Sequence, residues 1–498
     1  MNRPLNTAAF QRAMNKPHLP YELWETVVGL EIHLQLNTRT KAFSSAPNHF
    51  GDEPNLNISS VCTGQPGALP VLNRAVARKA VQFGLAVGGE VSRISTFDRK
   101  SYFYPDSPRN FQITQFETPL IRGGKVHAEG KTFLINRAHI EDDAGMLKHF
   151  STFAGVDYNR AGAPLIEIVS EPCMHSGKEA VAYAMAIRAI ALYLDISDGN
   201  MEEGSLRIDA NISVRLKGET GLRPRIEIKN MNSFTFMEMA IESEAHRQIA
   251  LYLNNPDRNP IELIPPGTYR WDPDRRQTVL MRSKESVDDY RYFPEPDLAP
   301  LIFTQEEIDG LRSTLPELPQ ERFRRYVSDL GLTEYSASTL IHEKWLSDYF
   351  EEALKVCKSS RLLCNWITVE FAGRLKESGQ TLVGIGIPPT HVAKLVEMIE
   401  QNQITGRIAK SVADEMVQTP GLDPEKIVAK NPDYQPTSDL ASIEPLVDEV
   451  LAAHPQSVAD FKAGREKAFA FLVGAVMKLS RGKASPQVVN DLLRKKIG

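Results

Sequence analysis

Acidic residues spaced two apart on four alternating stretches are the most chemically suggestive feature of this 498-residue sequence. In Thr26–Leu36, the residues Leu30, Ile32, Leu34 and Leu36 share one parity, and Glu31, His33 and Gln35 share the other. Side chains alternate faces along a strand, so Glu31 and His33 project together, about 6–7 Å apart at Cα. In Arg137–Gly145, His139, Glu141 and Asp143 share a face if the strand continues, and Asp142 points the other way. In Leu206–Leu216, Ile208, Ala210, Ile212 and Val214 face a core, and Arg207, Asp209, Asn211, Ser213 and Arg215 face away. In Arg225–Asn230, Ile226 and Ile228 face inward, and Glu227 and Lys229 face outward. Taken singly, each stretch is an ordinary antiparallel strand with one wet face. If the four share a sheet, their polar faces gather Glu31, His33, Glu141, Asp209 and Glu227, with Arg207 and Lys229 beside them. Clustered carboxylates repel unless a cation neutralises them. Hard oxygen ligands suit Mg²⁺, which prefers carboxylates, waters and substrate phosphates. One His among acids argues against zinc, which favours several His or Cys ligands.

Two loop regions add polar chemistry. Asp98–Arg109 interleaves cations and aromatics, and Met281–Pro294 does the same. Such mixtures hold phosphates and stack bases, or serve as plain aromatic packing. Val61–Pro70 is rich in turn residues and leads into a helix near Asn73; turns joining two elements need the same residues. Cys62 stands alone in it, with no CxxC spacing to suggest a metal. Gly124 to Thr132 falls one residue outside the P-loop spacing and reads as a hairpin. No HExxH or GxSxG motif is present, so no local arrangement advertises a hydrolytic nucleophile.

The elements that must position these residues fall into distinct textures. Residues 1–20 carry three prolines without periodicity and read as a flexible extension. Residues 21–296 mix short strands with helices near Arg74–Leu85, Gly177–Leu194 and Glu238–Leu253. Strand runs not strictly interleaved with helices predict an α+β domain with a largely antiparallel sheet. Residues 297–403 read as an all-α domain, and 404–498 as a small helical tail. Charge in the tail is polarised: 404–461 hold 4 Lys+Arg against 10 Asp+Glu, and 462–498 hold 9 against 2. That is either two solvated faces or a module leaning on an acidic polymer.

Composition bounds the rest. With 58 Lys+Arg against 63 Asp+Glu, the net charge of −5 excludes a uniformly basic nucleic-acid coat. Ala468–Met477 is the longest uncharged apolar run, short of the ~20 residues a bilayer span needs. Four scattered cysteines and no apolar run behind the first residues predict a reducing, cytoplasmic setting with no secretory signal and no membrane.

The strings VGLEIHLQL, PGALPVLN, DRKSYFYPDSPRNFQITQ, DYNRAGAPLIEIVSEP, EEGSLRIDANISVR, EIKNMNSF and DDYRYFPEPDL resemble the B subunits of the tRNA-dependent amidotransferases, in order, over about residues 21–498. The resemblance implies a catalytic cradle followed by helical and tRNA-binding tail domains. It implies use of ATP and Mg²⁺ to phosphorylate the side-chain carboxylate of Glu-tRNA(Gln), Asp-tRNA(Asn) or both. Ammonia made from glutamine by an amidase (A) subunit then arrives through a channel and displaces the phosphate. A small C subunit ties the heterotrimer together. Glu31, His33, Glu141, Asp209 and Glu227 match the family's metal and catalytic-pocket positions. Arg207 and Lys229 are candidates for phosphate contacts, and Arg99, Lys100 and Tyr104 for the nucleotide or acceptor end. Arg481, Lys483, Arg494, Lys495 and Lys496 are candidates for the tRNA backbone.

Two departures stand out. Many relatives read H-x-E-E-D-A-G where this chain has His139-Ile140-Glu141-Asp142-Asp143-Ala144-Gly145. Lone Cys62 argues against the zinc that some relatives bind near this loop. The competing readings are a non-catalytic tRNA-binding scaffold and a free-standing metal hydrolase. ATP cleavage stimulated by charged tRNA separates the first reading from both.

Overall fold

The computed structural model describes residues 20–283, 290–434, 439–480 and 482–498. Residues 1–19 of the expected extension and residues 284–289 of the second aromatic stretch lie outside them. The chain divides into two units, Met1–Gln320 and Glu321–Gly498.

Alternation drives the first unit. The strand β1 (Trp24–Gln35) buries Val28, Leu30, Ile32 and Leu34 completely, while Glu31, His33 and Gln35 stay partly exposed. It shares its sheet with β2 (Lys131–Asp142), β3 (Pro164–Ser170), β4 (Leu206–Leu216) and β5 (Ile226–Lys229). With β6 (Gly267–Asp272) and β7 (Gln277–Ser283) they order as β7-β6-β5-β4-β1-β3-β2 within a ten-stranded sheet. Two-residue strands, Ile121–Arg122 and Glu90–Val91, complete the far edge, and Lys125–Ala128 pairs with β2 as the expected hairpin. The β5–β6 pair is parallel, and the other pairings of this sheet are antiparallel. The expected α+β class with a largely antiparallel sheet is the observed one.

Helices cover the apolar face. The helix α1 (Arg74–Ala86) starts at Asn73, whose side chain accepts from the Ala75 amide. The helices α2 (Gly177–Tyr193) and α3 (Phe234–Asn254) are capped by Ser176 and Ser233. Tyr183, Ile187, Met237 and Ile241 of these helices join the strands' apolar residues in one core. Gly177 marks the crossing of α2 and α3: a Cβ there would sit 2.7 Å from the Glu238 carbonyl oxygen and 3.1 Å from its Cα. Backbone cannot yield as a side-chain tip can. Gly177→Ala is therefore expected to cost about 1–3 kcal/mol through overpacking. Urea unfolding checks this, and an unchanged midpoint removes the close-approach argument.

The second unit is helical and holds two cores. Residues from Tyr326 to Val428 form one, and residues from Ile443 to Ile497 the other. These cores fall elsewhere than the expected boundaries at 296 and 403. Leu301, Phe303, Ile308 and Leu311 pack into the first unit's core, and Ile404 to Val428 pack into the first core of the second unit. Apolar residues join whichever core they can reach, which a change in texture along the chain does not reveal. No helix among the described residues is long and apolar enough to cross a membrane.

Candidate active site

Cross-strand register assembles the polar face. On β1 and β4, Glu31 stands opposite Asp209, and His33 opposite Arg207. Toward the other side, His33 stands opposite Glu167 on β3, and Glu167 opposite His139 on β2. Glu141 lies two residues beyond His139, on the same face. The four strands of the sequence argument do share one sheet, with β3 inserted between β1 and β2.

The face carries two groups. In the first, His33 Nε2 lies 3.2 Å from Glu141 Oε1 and 3.6 Å from Glu167 Oε2. His139 Nε2 approaches Glu167 Oε2 at 3.3 Å and Glu141 Oε2 at 3.9 Å. In the second, the Lys229 ammonium donates to Asp209 at 2.6 Å and lies 3.5 Å from Glu227. Thr268 donates to Glu227 at 2.9 Å, and the Asn211 amide donates to Glu31 at 2.9 Å. Arg207 pairs with Asp143 at 2.6 Å.

Charge is dense here. Burial opposes protonation of His33, but hydrogen bonds and charge from Glu141 and Glu167 outweigh it and raise its pKa to about 10. Burial pushes the Glu167 carboxyl up, yet His139 and His33 hold it well below the usual range. Burial also works against the Lys100 and Lys229 ammonium groups; Glu141 and Glu167 raise the first, and Asp209 and Glu227 the second. Acids on this face thus favour the charged forms of His33, Lys100 and Lys229.

A cavity of about 370 Å³ opens on this face, walled by His33, Glu141, Lys100, Arg207, Asp209 and Lys229. Tyr102, Arg109 and Tyr290 also line it. Glu31 faces a smaller neighbouring cavity of about 90 Å³ with Asn211, Arg223 and Arg225. Glu227 stays buried behind Lys229 and Thr268.

The donor set suits a divalent cation. Ligand atoms of His33, Glu141 and Glu167 lie within 4.8 Å of one another, the one such group among the described residues. Two carboxylates and one imidazole beside a polar cavity match Mg²⁺ chemistry better than a thiolate-rich zinc site. Asp209, Glu227 and Glu31 are occupied by Lys229, Thr268 and Asn211 instead. Cys62 has the hydroxyls of Ser44 and Ser59 at 3.3 and 3.2 Å and the Lys41 ammonium at 3.7 Å.

Strand patterning alone misses Glu167 and leaves His139 out of the acid cluster, so it counts one imidazole where the sheet brings two. Glu167 sits in PLIEIVS, an apolar run that reads as a buried strand. A single charge inside such a run is the available signal. Asp142 ends β2, where its carboxylate pairs with Arg109 and accepts from the Ile113 amide.

The remaining candidates are dispersed. Lys100 lines the cavity, whereas Arg99 is committed to Glu295 at 2.7 and 2.8 Å and to Asp297 at 3.0 Å. Tyr104 is exposed and stacks on Tyr102. Asp98–Ser101 pairs with both Phe111–Thr114 and Phe293–Pro294, so the two aromatic stretches meet in one small sheet. In the second unit, Lys483 bonds Asp433 at 3.1 Å, and Lys496 pairs with Glu444 and Asp448 at 2.9 and 2.6 Å. Arg494 lies over the Phe469 ring, Lys495 is exposed, and Arg481 lies outside the described residues.

Comparison with known proteins extends this picture. Residues 26–309 match the family model described as the GatB/GatE catalytic domain, and 348–497 match the one described as the GatB domain. A relative from Protochlamydia amoebophila, named as the B subunit of an aspartyl/glutamyl-tRNA(Asn/Gln) amidotransferase, is 64% identical over 96% of this chain and 98% of its own length. A relative of the same name from Chlamydia pneumoniae is 57% identical over 95% of this chain and 98% of its own length.

Proposed function

Because the chain belongs to the GatB/GatE family, we propose that it is the subunit that activates the side-chain carboxylate of a mischarged tRNA and passes it to ammonia. The substrates are Glu-tRNA(Gln), Asp-tRNA(Asn) or both, and ATP is the phosphoryl donor. One observation carries the reading: the His33, Glu141 and Glu167 cluster stands beside a cavity that also presents Lys100, Arg207 and Lys229.

Carboxylate is a poor acylating group. Its oxygen attacks the γ-phosphorus, the bond to ADP breaks, and an acyl phosphate results. Ammonia then attacks the carbonyl carbon, inorganic phosphate leaves, and the nitrogen loses a proton to give the amide. Phosphoryl transfer of this kind depends on positioning and charge rather than on a protein nucleophile. His33, Glu141 and Glu167 would hold a Mg²⁺ ion, which would supply neutralisation of phosphate charge. Lys229 and Arg207 present cations to the phosphates from the same sheet face, paired with Asp209 and Asp143. Lys100 adds a third cation beside Glu141.

The chain brings no nucleophile for glutamine hydrolysis in its motifs. The partners in this reading are an amidase (A) subunit that supplies ammonia through an intersubunit channel and a small C subunit, as a cytoplasmic heterotrimer. The basic tail, through Lys483, Arg494, Lys495 and Lys496, is the proposed tRNA-backbone contact.

The test supplies mischarged tRNA, Mg²⁺, ATP and ammonium to the purified chain, alone and with its A and C partners. ADP and amidated aminoacyl-tRNA are followed. Ammonium bypasses the amidase. Amide formed only with ATP supports the reading. Tight tRNA binding with neither ADP nor amide, partners present, favours a scaffold and overturns it.

A further inference from the structure

Glu167 has an unusual position for a ligating carboxylate. It lies on the central strand β3, only 8% exposed as a residue, with apolar Ile166 and Ile168 on either side. Among the described residues its carboxylate takes ion-pair contacts from His33 and His139 alone. His33 Nε2 is itself a ligand atom of the cluster. A cation there would displace the Nε2 proton of His33 to solvent and take the lone pair, and His33 could then no longer donate to Glu167. Among the described residues, His139 is left as the side chain in ion-pair contact with this carboxylate.

The geometry of His139 fits that task and no direct one. Register places it opposite Glu167 across the β2–β3 pair, so the contact is set by backbone pairing. Its Nε2 reaches both Glu167 and Glu141. Its Nδ1 is buried without a partner, so the ring's polar contacts all run through Nε2. Its side chain is 5% exposed and does not line the cavity. Two like-charged carboxylates this close drift apart unless a donor pins them. Groups behind metal ligands that fix carboxylate orientation carry about 10–100-fold in metal affinity.

We propose that His139 is the positioning residue of this site: its Nε2–H aims the Glu167 and Glu141 carboxylates at the divalent cation that they and His33 hold. The inference rests on the metal reading given above and deepens it.

Mn²⁺ titrated into the full-length chain, with free Mn²⁺ followed by electron paramagnetic resonance, tests this without reference to activity. Competition by Mg²⁺ shows that the probe occupies the same site. His139→Leu is expected to weaken Mn²⁺ binding by about 10–100-fold. His139→Gln, whose amide donates from nearly the same position, is expected to stay within a few-fold of wild type. Circular dichroism confirms that each variant is folded. Should His139→Leu lose its fold, His139→Ser, small enough to admit water, carries the same comparison. His139→Leu or His139→Ser binding Mn²⁺ as the wild type does overturns the proposal and leaves the metal reading standing. Equal loss in His139→Gln and His139→Leu overturns it too, since a donor at that position would then not matter. A wild-type chain that takes up no Mn²⁺ overturns the metal reading itself, and the proposal with it.

Discussion

Glu141→Gln is expected to reduce ATP-dependent carboxylate activation by at least about 10²–10³-fold, the scale of deleting one charge-stabilising group from an active site, while charged-tRNA binding changes little. The substitution is nearly isosteric, so packing around this 1%-exposed side chain survives. What changes is chemistry. Glu141 offers an anionic oxygen 3.2 Å from His33 Nε2. An amide at that place halves the negative charge of the cluster, and one of its two ends becomes a donor. Lys100 also loses the larger of the two carboxylate fields that hold it protonated. The proposed tRNA-backbone contacts are cations of the tail, and the buried Glu141 is not among them. ADP release stimulated by charged tRNA, with ammonium as nitrogen source, measures the first effect; fluorescence anisotropy of labelled tRNA measures the second. Activity equal to wild type would remove Glu141 from the reaction.

Arg99→Met is the largest expected change in stability, a loss of about 3–5 kcal/mol, the usual penalty for stranding one partner of a buried ion pair. Glu295 has no side-chain exposure, and Arg99 meets it through Nε and Nη2 at 2.7 and 2.8 Å. Such fork-on-carboxylate pairing is strong because both bonds are charge-assisted. The guanidinium also lies over the Phe111 ring at 4.4 Å and over Phe293 at 5.6 Å. Without it, the buried Glu295 carboxylate loses its guanidinium partner. Adding Glu295→Leu to Arg99→Met is expected to restore most of the loss, because a well-packed apolar pair replaces an ion pair at little net cost. Urea unfolding of both variants measures this. A loss below about 1 kcal/mol for Arg99→Met would place the pair with ordinary surface bridges. The consequence reaches the site, because Lys100 is the next residue on the strand that this clamp holds.

Individual residues show how far sequence reasoning reaches. Lys100 and Arg99 are neighbours in one cationic, aromatic stretch, and nothing local separates their roles. The strand alternation sends Lys100 into the cavity wall and Arg99 to Glu295, almost two hundred residues away in the chain. Lys496 looks free for nucleic acid in sequence and is paired with Glu444 and Asp448 in the fold. The acidic stretch and the basic stretch of the tail, read as separate faces, neutralise one another there in part.

Local patterning was enough to settle which face β1 would bury. Alternation of Leu30, Ile32 and Leu34 with Glu31 and His33 is a local property, because side chains on a strand alternate whatever lies alongside. Ordered strings along the chain also carried the family, and no single contact decides those. Which carboxylates meet was left to the assembled sheet. His33 lies between Glu167 and Arg207 because β1 pairs with β3 on one side and β4 on the other. Those partners are more than a hundred residues away, and a slip of one residue would have turned every polar side chain into the core. Register is set by the burial of whole apolar faces under α2 and α3, a collective quantity. That is why Glu31 was visible from its own strand, whereas Glu167 and His139 became part of the site only when the sheet was assembled.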